Sequence, residues 1–155
     1  MKSGRMKLDE LIEELQDLAP EEKLEWLVEF ADELPELSPE RSRAAFPETC
    51  RVQECQTPVY LWVDVADGRI RLEADVPPQS PIVRGLVALL VVGLNGAPIA
   101  SALDLPDDLL SVLGLTATLG MTRQQGVRGV VSRLKRELRA ANVPVAKKPS
   151  CSREN

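Results

Sequence analysis

Three cysteines and a complete lack of histidine define the chemistry that this 155-residue chain can perform. Cys50, Cys55 and Cys151 include no Cys-x-x-Cys pair, so neither a zinc ribbon nor a dithiol redox site is expected. Without an imidazole the chain has no Ser-His-Asp triad and no Cys-His dyad. An ionised thiol can still attack another sulfur atom without a general base, whereas acyl hydrolysis requires one. The residue types therefore favour a thiol that exchanges sulfur.

Cys55 has the sequence setting of an accessible thiol. It lies in the segment Gln-Glu-Cys-Gln-Thr-Pro, where polar and turn-forming neighbours precede an aromatic, strand-like run. We therefore expect Cys55 at the tip of a loop that enters a sheet, within reach of another protein. Cysteine is also a frequent small apolar core residue, and this structural role is the alternative for each thiol. Cys50 is predicted to be structural and Cys151 to lie in a tail.

Two acidic amphipathic helices open the chain. Apolar residues recur at helical spacing from Leu8 to Leu18, and a second helix restarts at Pro20 with Glu21 and Glu22 in its first turn. Three prolines then interrupt residues 34–47, which predicts a connecting loop before the cysteine segment.

A β-hairpin is predicted directly after the Cys55 loop, with Asp67 and Gly68 as its two-residue turn. This turn fixes the pairs Val65 with Ile70, Val63 with Leu72, Leu61 with Ala74, and Asp64 with Arg71. One face of the hairpin is then apolar and must be covered. Tyr60 and Trp62 on the other face are expected to pack under a loop, with contact to a partner as the alternative. Residues 51–53 are predicted to add a short third strand.

The remaining chain is predicted to be helical. Residues 82–94 are apolar on nearly all sides, which indicates a buried helix that covers the hairpin, with Gly85 permitting close packing. Two short helices follow, and the last helix runs from Thr122 to about Asn142. We expect one domain over residues 6–142 and a disordered tail over residues 143–155.

Composition and charge restrict the partners and the compartment. A content of 44% hydrophobic residues suits one compact domain. No apolar run approaches the ~20 residues of a membrane span, and the charged start lacks the apolar stretch of a signal peptide, so a cytoplasmic protein without a membrane partner is expected. The first 40 residues are strongly acidic and the last 35 are basic. The basic residues lack interleaved aromatics and a reading motif, which disfavours nucleic-acid binding.

Three segments of the chain are similar to those of SufE-like proteins. Residues 51–96, RVQECQTPVYLWVDVADGRIRLEADVPPQSPIVRGLVALLVVGLNG, resemble the family's Gly-Cys-Gln-Ser-like loop, its hairpin and its Ser-Asp-Ala-x-Ile-Val-Lys-Gly-Leu helix start. LAPEEKLEWLVEFADELPEL resembles the family's second helix, and LGMTRQQGVRGVVSRLK its last helix, with Arg123 and Gly126 matching an Arg-x-x-Gly pattern. The resemblance covers about residues 8–140, in family order and spacing.

The resemblance implies a sulfur acceptor without a cofactor or metal of its own, not an enzyme. Such a protein takes sulfur as a persulfide on its loop cysteine, here Cys55, from a PLP-dependent cysteine desulfurase of the SufS/CsdA type, stimulates that enzyme, and passes the sulfur to a downstream scaffold for iron–sulfur cluster assembly. The family fold is α+β, a three-stranded antiparallel sheet with helices packed mainly on one face, as in IscU-type scaffolds. Arg123, Gln56 and Arg84 are the predicted supporting residues.

Three positions depart from the family pattern, one of which is Pro58 in place of a more usual polar residue. Glu54 replaces the glycine that usually precedes the cysteine, and its carboxylate is expected to disfavour the thiolate. Gln79 stands where the family's acidic residue is usual. A thiol tucked into an apolar pocket would have a raised pKa, whereas Arg123 and the positive end of the last helix would lower the pKa of an exposed one.

Two further hypotheses remain open at this point. An adaptor could stimulate a desulfurase without carrying sulfur. A scaffold could assemble the cluster itself, although it would require about three convergent thiolates.

Overall fold

The structure, a computed structural model, describes residues 6–141. Asn142 and the predicted tail lie outside the described residues. The helices are α1 (Met6–Gln16), α2 (Pro20–Phe30), α3 (Pro39–Arg43), α4 (Pro81–Leu94), α5 (Ile99–Leu103), α6 (Leu109–Leu113) and α7 (Met121–Ala141), and the strands are β1 (Tyr60–Ala66) and β2 (Arg69–Asp75). Single 3₁₀ turns occupy Ala31–Glu33 and Glu48–Cys50.

The hairpin has the predicted register. Its ladder pairs Val65 with Ile70, Val63 with Leu72, Leu61 with Ala74, and Asp64 with Arg71. Asp67 and Gly68 both have positive φ, of 57° and 76°, which is the turn geometry that matches the twist of two adjacent strands. The apolar residues of both strands therefore face the same side.

The predicted three-stranded sheet is not confirmed, because the described sheet has two strands. The expected third strand is reduced to one antiparallel bridge between Arg51 and Tyr60, beside a hydrogen bond from the amide of Val52 to the Val59 carbonyl at 2.8 Å. The amide of Cys55 then donates to the Val52 carbonyl at 3.2 Å. This tight turn bends the chain away from β1 before a second bridge can form.

Helix α4 is the central element of the core. Ten of its residues are buried: Val83, Gly85, Leu86, Val87, Ala88, Leu89, Leu90, Val91, Gly93 and Leu94. It packs on β2, α1 and α2, while α7 packs on β1, so the two helices together cover the apolar face of the hairpin. A Cβ added to Gly85 would collide with the carbonyl oxygen of Leu27, which confirms that this glycine permits close approach of α2.

The opposite face of the hairpin is covered by the proline-rich connection, as predicted for Tyr60 and Trp62. Trp62 is 1% exposed and packs with Cys50, Leu37 and Phe46 in a second small cluster. Arg41 of α3 lies over the Trp62 ring at 5.4 Å and pairs with Asp64 at 3.0 Å. The connection is therefore an ordered part of the fold. Among residues 6–141, no helix is both long and apolar enough to cross a membrane.

Candidate functional site: the Cys55 loop and its pocket

The turn that follows residue 52 directs Cys55 toward α7. Its side chain is a free thiol that is 6% exposed. The Sγ atom donates to the carbonyl oxygen of Gly126 at 3.4 Å. A Cβ added to Gly126 would lie 3.0 Å from Sγ, so the glycine makes room for the thiol. The predicted loop is present, but its cysteine points inward.

A cavity of about 440 Å³ adjoins the thiol between the loop, α4 and α7. Its walls are apolar side chains of the two helices: Val83, Leu86, Val87, Leu90, Val127 and Val130. The remaining lining comes from the loop and the start of α7, namely Gln56, Thr57, Gly120, Met121, Thr122, Arg123 and Gly126. Met121 is 68% exposed, which is unusual among the large apolar side chains of the described residues. Cys55 thus occupies a pocket with an apolar interior and a polar rim.

Burial raises the pKa of the Cys55 thiol from an ordinary 9.0 to about 11, with the Glu54 carboxylate adding to the rise and Arg51 opposing it. The hydrogen bond to Gly126 also favours the protonated form, because only a thiol can donate it. The thiol is therefore neutral at physiological pH in this position. The effect expected of Glu54 is confirmed in direction, and the pocket corresponds to the tucked alternative rather than to an activated thiolate.

The structure places Gln56 and Arg123 beside Cys55 on the lining of the same cavity. Arg84 lies elsewhere. Its Nε donates to the carbonyl oxygen of Ala31 at 3.2 Å and its Nη1 to that of Val76 at 2.5 Å. Arg84 therefore ties the start of α4 to the end of α2 and to the segment after β2.

Sequence reasoning missed two kinds of contributor to the site. The charge of Arg51, four residues before the cysteine, lowers the thiol pKa because the turn brings the two residues together. Gly126 and Gly129 of α7 contact the loop. Their spacing in Gln-Gln-Gly-Val-Arg-Gly could have indicated a helix face that another segment approaches closely. Within residues 6–141, no group of three Cys, Asp or Glu side chains is placed to hold a metal ion.

The comparisons with known proteins agree with the resemblance found in the sequence. A profile of the SufE family, described as an Fe-S metabolism associated domain, matches residues 9–138. An uncharacterised SufE-like protein of Mycobacterium tuberculosis is 36% identical over 136 residues, which cover 87% of this chain and 93% of that protein. A SufE-like protein of Synechocystis is 33% identical over 107 residues, 69% of this chain and 64% of that protein.

A solved structure shares the fold. The solution structure of a hypothetical protein from Thermus thermophilus superposes with a TM-score of 0.73 at 30% identity, and the match covers 87% of this chain and 95% of that chain. The α+β architecture and the sequence matches point to the same group of proteins. The chain belongs to the SufE family, whose domain is associated with Fe-S metabolism.

Proposed function

We propose that this protein is a sulfur acceptor for iron–sulfur cluster assembly. Cys55 receives sulfur as a persulfide from a PLP-dependent cysteine desulfurase and later passes it on. The observation that carries the proposal is the position of Cys55, a free thiol on a loop beside an apolar cavity. The association of the SufE family with Fe-S metabolism supports the same conclusion.

The cavity suits a thiol that carries an additional sulfur atom. One extra sulfur needs a volume similar to the ~30 Å³ of a water molecule, and the cavity has about 440 Å³. Its apolar walls disfavour water and charged nucleophiles. A persulfide that returns to this pocket would be protected from attack between its formation and its delivery.

The transfer step requires no imidazole. The Cys55 thiolate attacks the outer sulfur of the desulfurase persulfide, the S–S bond of that persulfide breaks, and the desulfurase cysteine leaves as a thiolate. A new S–S bond then joins Cys55 to the transferred sulfur, without net oxidation or reduction. The desulfurase cleaves the C–S bond of its substrate with its own cofactor. This chain supplies the nucleophile and the surface that presents it.

Transfer requires Cys55 to leave its pocket. A pKa of about 11 reduces the thiolate fraction at neutral pH about a hundredfold relative to the ordinary 9.0. Movement of the loop outward breaks the contact with Gly126, exposes Sγ and restores an ordinary pKa. The loop is thus a two-state element, closed at rest and open on the desulfurase.

The predicted supporting residues act in different ways in this mechanism. Arg123, at the cavity mouth, offers a positive charge to the emerging thiolate and to the incoming persulfide. Gln56 is exposed beside Cys55 and can hydrogen-bond to the partner in the open state. Arg84 acts at a distance, because it fixes the start of α4 and with it the Val83 wall of the pocket.

The proposal is tested by incubating the full chain with a cysteine desulfurase, PLP and cysteine, and measuring its intact mass. Wild type is expected to gain the mass of one sulfur atom, and Cys55→Ser to gain none. Cys151→Ser is the control that removes another cysteine sulfur, and it should gain sulfur as wild type does. Normal sulfur gain by Cys55→Ser would contradict the proposal.

An adaptor that stimulates a desulfurase without carrying sulfur is the second candidate. The deep burial of the thiol favours it, because a residue that never reacts has no need to leave its pocket. Desulfurase turnover in the presence of Cys55→Ser separates the two hypotheses. Full stimulation by this variant, with no sulfur on the wild-type chain, would establish the adaptor.

A further inference from the structure

Residues 54 and 55 rest directly on the backbone of α7 at two glycines. A Cβ added to Gly129 would lie 2.5 Å from the Cβ of Glu54 and 2.7 Å from its Oε1, and one added to Gly126 would lie 3.0 Å from Sγ of Cys55. The distances at Gly129 leave no space for a side chain, and a side chain at Gly126 would require the thiol to shift. We call this surface, formed by Gly126 and Gly129, the glycine seat.

The 3₁₀ turn that precedes the loop is also held by a buried cation of the same helix. Arg133 lies one turn beyond Gly129 and is 7% exposed. Its Nη2 donates to the carbonyl oxygen of Thr49 at 2.6 Å and lies 3.7 Å from Oε2 of Glu137. Burial lowers the pKa of Arg133, while the charges of Glu137 and Glu54 oppose that change. Glu54 and Arg133 therefore attract each other across the loop and the helix.

We propose that Glu54 is a positioning residue for Cys55, whose side chain, seated on Gly129 and attracted to Arg133, holds the loop on α7 and keeps the thiol in its pocket. The negative charge of the carboxylate also disfavours a thiolate at Cys55. The contact of Glu54 with α7 and the charge of its carboxylate therefore both lower the reactivity of Cys55. A partner that brings a basic side chain to Glu54 would relieve both effects.

Among residues 6–141, Glu54 is the acidic residue whose charge acts on the Cys55 thiol. Helix α4 contributes apolar side chains to the pocket, of which Val83 and Leu86 are examples. Helix α7 contributes the carbonyl of Gly126 and, at the mouth, Arg123. The loop segment itself contributes Arg51, whose charge opposes that of Glu54.

The charge effect is tested by the rate at which iodoacetamide alkylates Cys55, measured on the Cys55 peptide by mass spectrometry from neutral pH upward. No sulfur donor is needed, so the outcome is independent of the proposed function. Glu54→Gln keeps the shape of the side chain and removes its charge. We expect the alkylation rate of this variant at neutral pH to rise about three- to tenfold. The pH at which alkylation reaches half of its maximal rate should fall. Glu48→Gln removes an equal charge from another exposed residue and should match wild type.

The role of the glycine seat in holding the loop is tested by adding a methyl group beneath the loop. Gly129→Ala places a Cβ against Glu54 and should increase the alkylation rate by lifting the loop. In a Glu54→Gly background the collision with the Glu54 side chain is gone, so the same substitution should add little. An unchanged pH profile for Glu54→Gln would overturn the proposal. An equal effect of Gly129→Ala in both backgrounds would overturn it as well.

Discussion

The Sγ atom of Cys55 lies 3.4 Å from the carbonyl oxygen of Gly126, so helix α7 sets the resting position of the thiol. Helical packing and loop conformation are therefore coupled at one contact. Changes on α7 should alter the reactivity of Cys55 even when the loop sequence is untouched.

Gly126→Ala is expected to push the thiol out of its resting position. The added Cβ would lie 3.0 Å from Sγ, closer than about nine in ten contacts of such an atom, so the thiol would have to shift. We expect Cys55 to react several-fold faster with a disulfide reagent such as Ellman's reagent, measured at neutral pH. Gly120→Ala is the matched control beside the same cavity, because its Cβ meets no atom within 4 Å. Equal rates in the two variants would show that the contact does not restrain the thiol.

Folding stability should depend on pH through Cys55. Its pKa is raised from 9.0 in an ordinary setting to about 11, so the folded state holds the proton more tightly. The resulting stabilisation is fully present below pH 9.0 and is lost as the pH rises toward about 11. Its size is about 2–3 kcal/mol. Urea unfolding of wild type should therefore weaken more steeply across this interval than that of Cys55→Ala, and parallel pH dependences would contradict the assignment.

Gly85→Ala is expected to destabilise the fold. The new methyl group would collide with the carbonyl of Leu27, and backbone cannot move aside as a flexible side chain can. Overpacking of this kind costs about 1–3 kcal/mol. Chemical denaturation monitored by circular dichroism measures the loss, and Gly120→Ala should change stability by less. A Gly85→Ala variant as stable as wild type would show that α2 and α4 can separate without cost.

Arg41→Met should weaken the fold without reducing sulfur acceptance. Arg41 pairs with Asp64 at 3.0 Å and with Glu73 at 3.2 Å, and it covers the Trp62 ring. Loss of these contacts is expected to cost about 1–3 kcal/mol. Neither Arg41 nor the residues that it contacts line the Cys55 cavity, so persulfide formation on the folded variant should match wild type. Impaired transfer at full stability would place this face in the partner interface.

Arg84 and Arg123 should differ when each is replaced by glutamine. Arg84→Gln removes hydrogen bonds to the carbonyls of Ala31 and Val76 and should lower the free energy of unfolding by about 1–3 kcal/mol. Arg123→Gln should leave stability nearly unchanged and slow sulfur transfer, because its guanidinium lies at the cavity mouth. Denaturation curves and transfer rates for both variants test this division. Slower transfer by a fully stable Arg84→Gln, together with a loss of stability in Arg123→Gln, would contradict this division.

The sequence predicted the local parts of this fold well and the long-range parts less well. Asp67 and Gly68 fix the hairpin register, because a two-residue turn leaves one pairing that keeps the apolar residues on one face. The ion pair of Asp64 was not predictable in the same way. Its partner is Arg41, brought over the sheet by a loop whose path depends on the packing of Phe46 against Trp62.

In the candidate site, too, the local features were predictable from the sequence and the long-range contacts were not. The effect of the chain neighbours of Cys55, above all the charge of Glu54, could be predicted from the sequence. The inward direction of the thiol depends on the turn after Val52 and on Gly126, 71 positions away. No local pattern specifies a contact of that separation. The place of Arg84 in a motif predicts a supporting role, whereas its actual hydrogen bonds depend on how α2 and α4 cross.

Sulfur transfer to Cys55 is tested by locating the sulfur after a single turnover. The chain is mixed with a desulfurase already loaded with persulfide, quenched with an alkylating agent, digested, and analysed peptide by peptide. One additional sulfur is expected on the peptide that contains Cys55, and it should be lost when a thiol acceptor is added. Sulfur that remains on the desulfurase, or that appears on the peptides of Cys50 or Cys151 instead, would contradict transfer to Cys55.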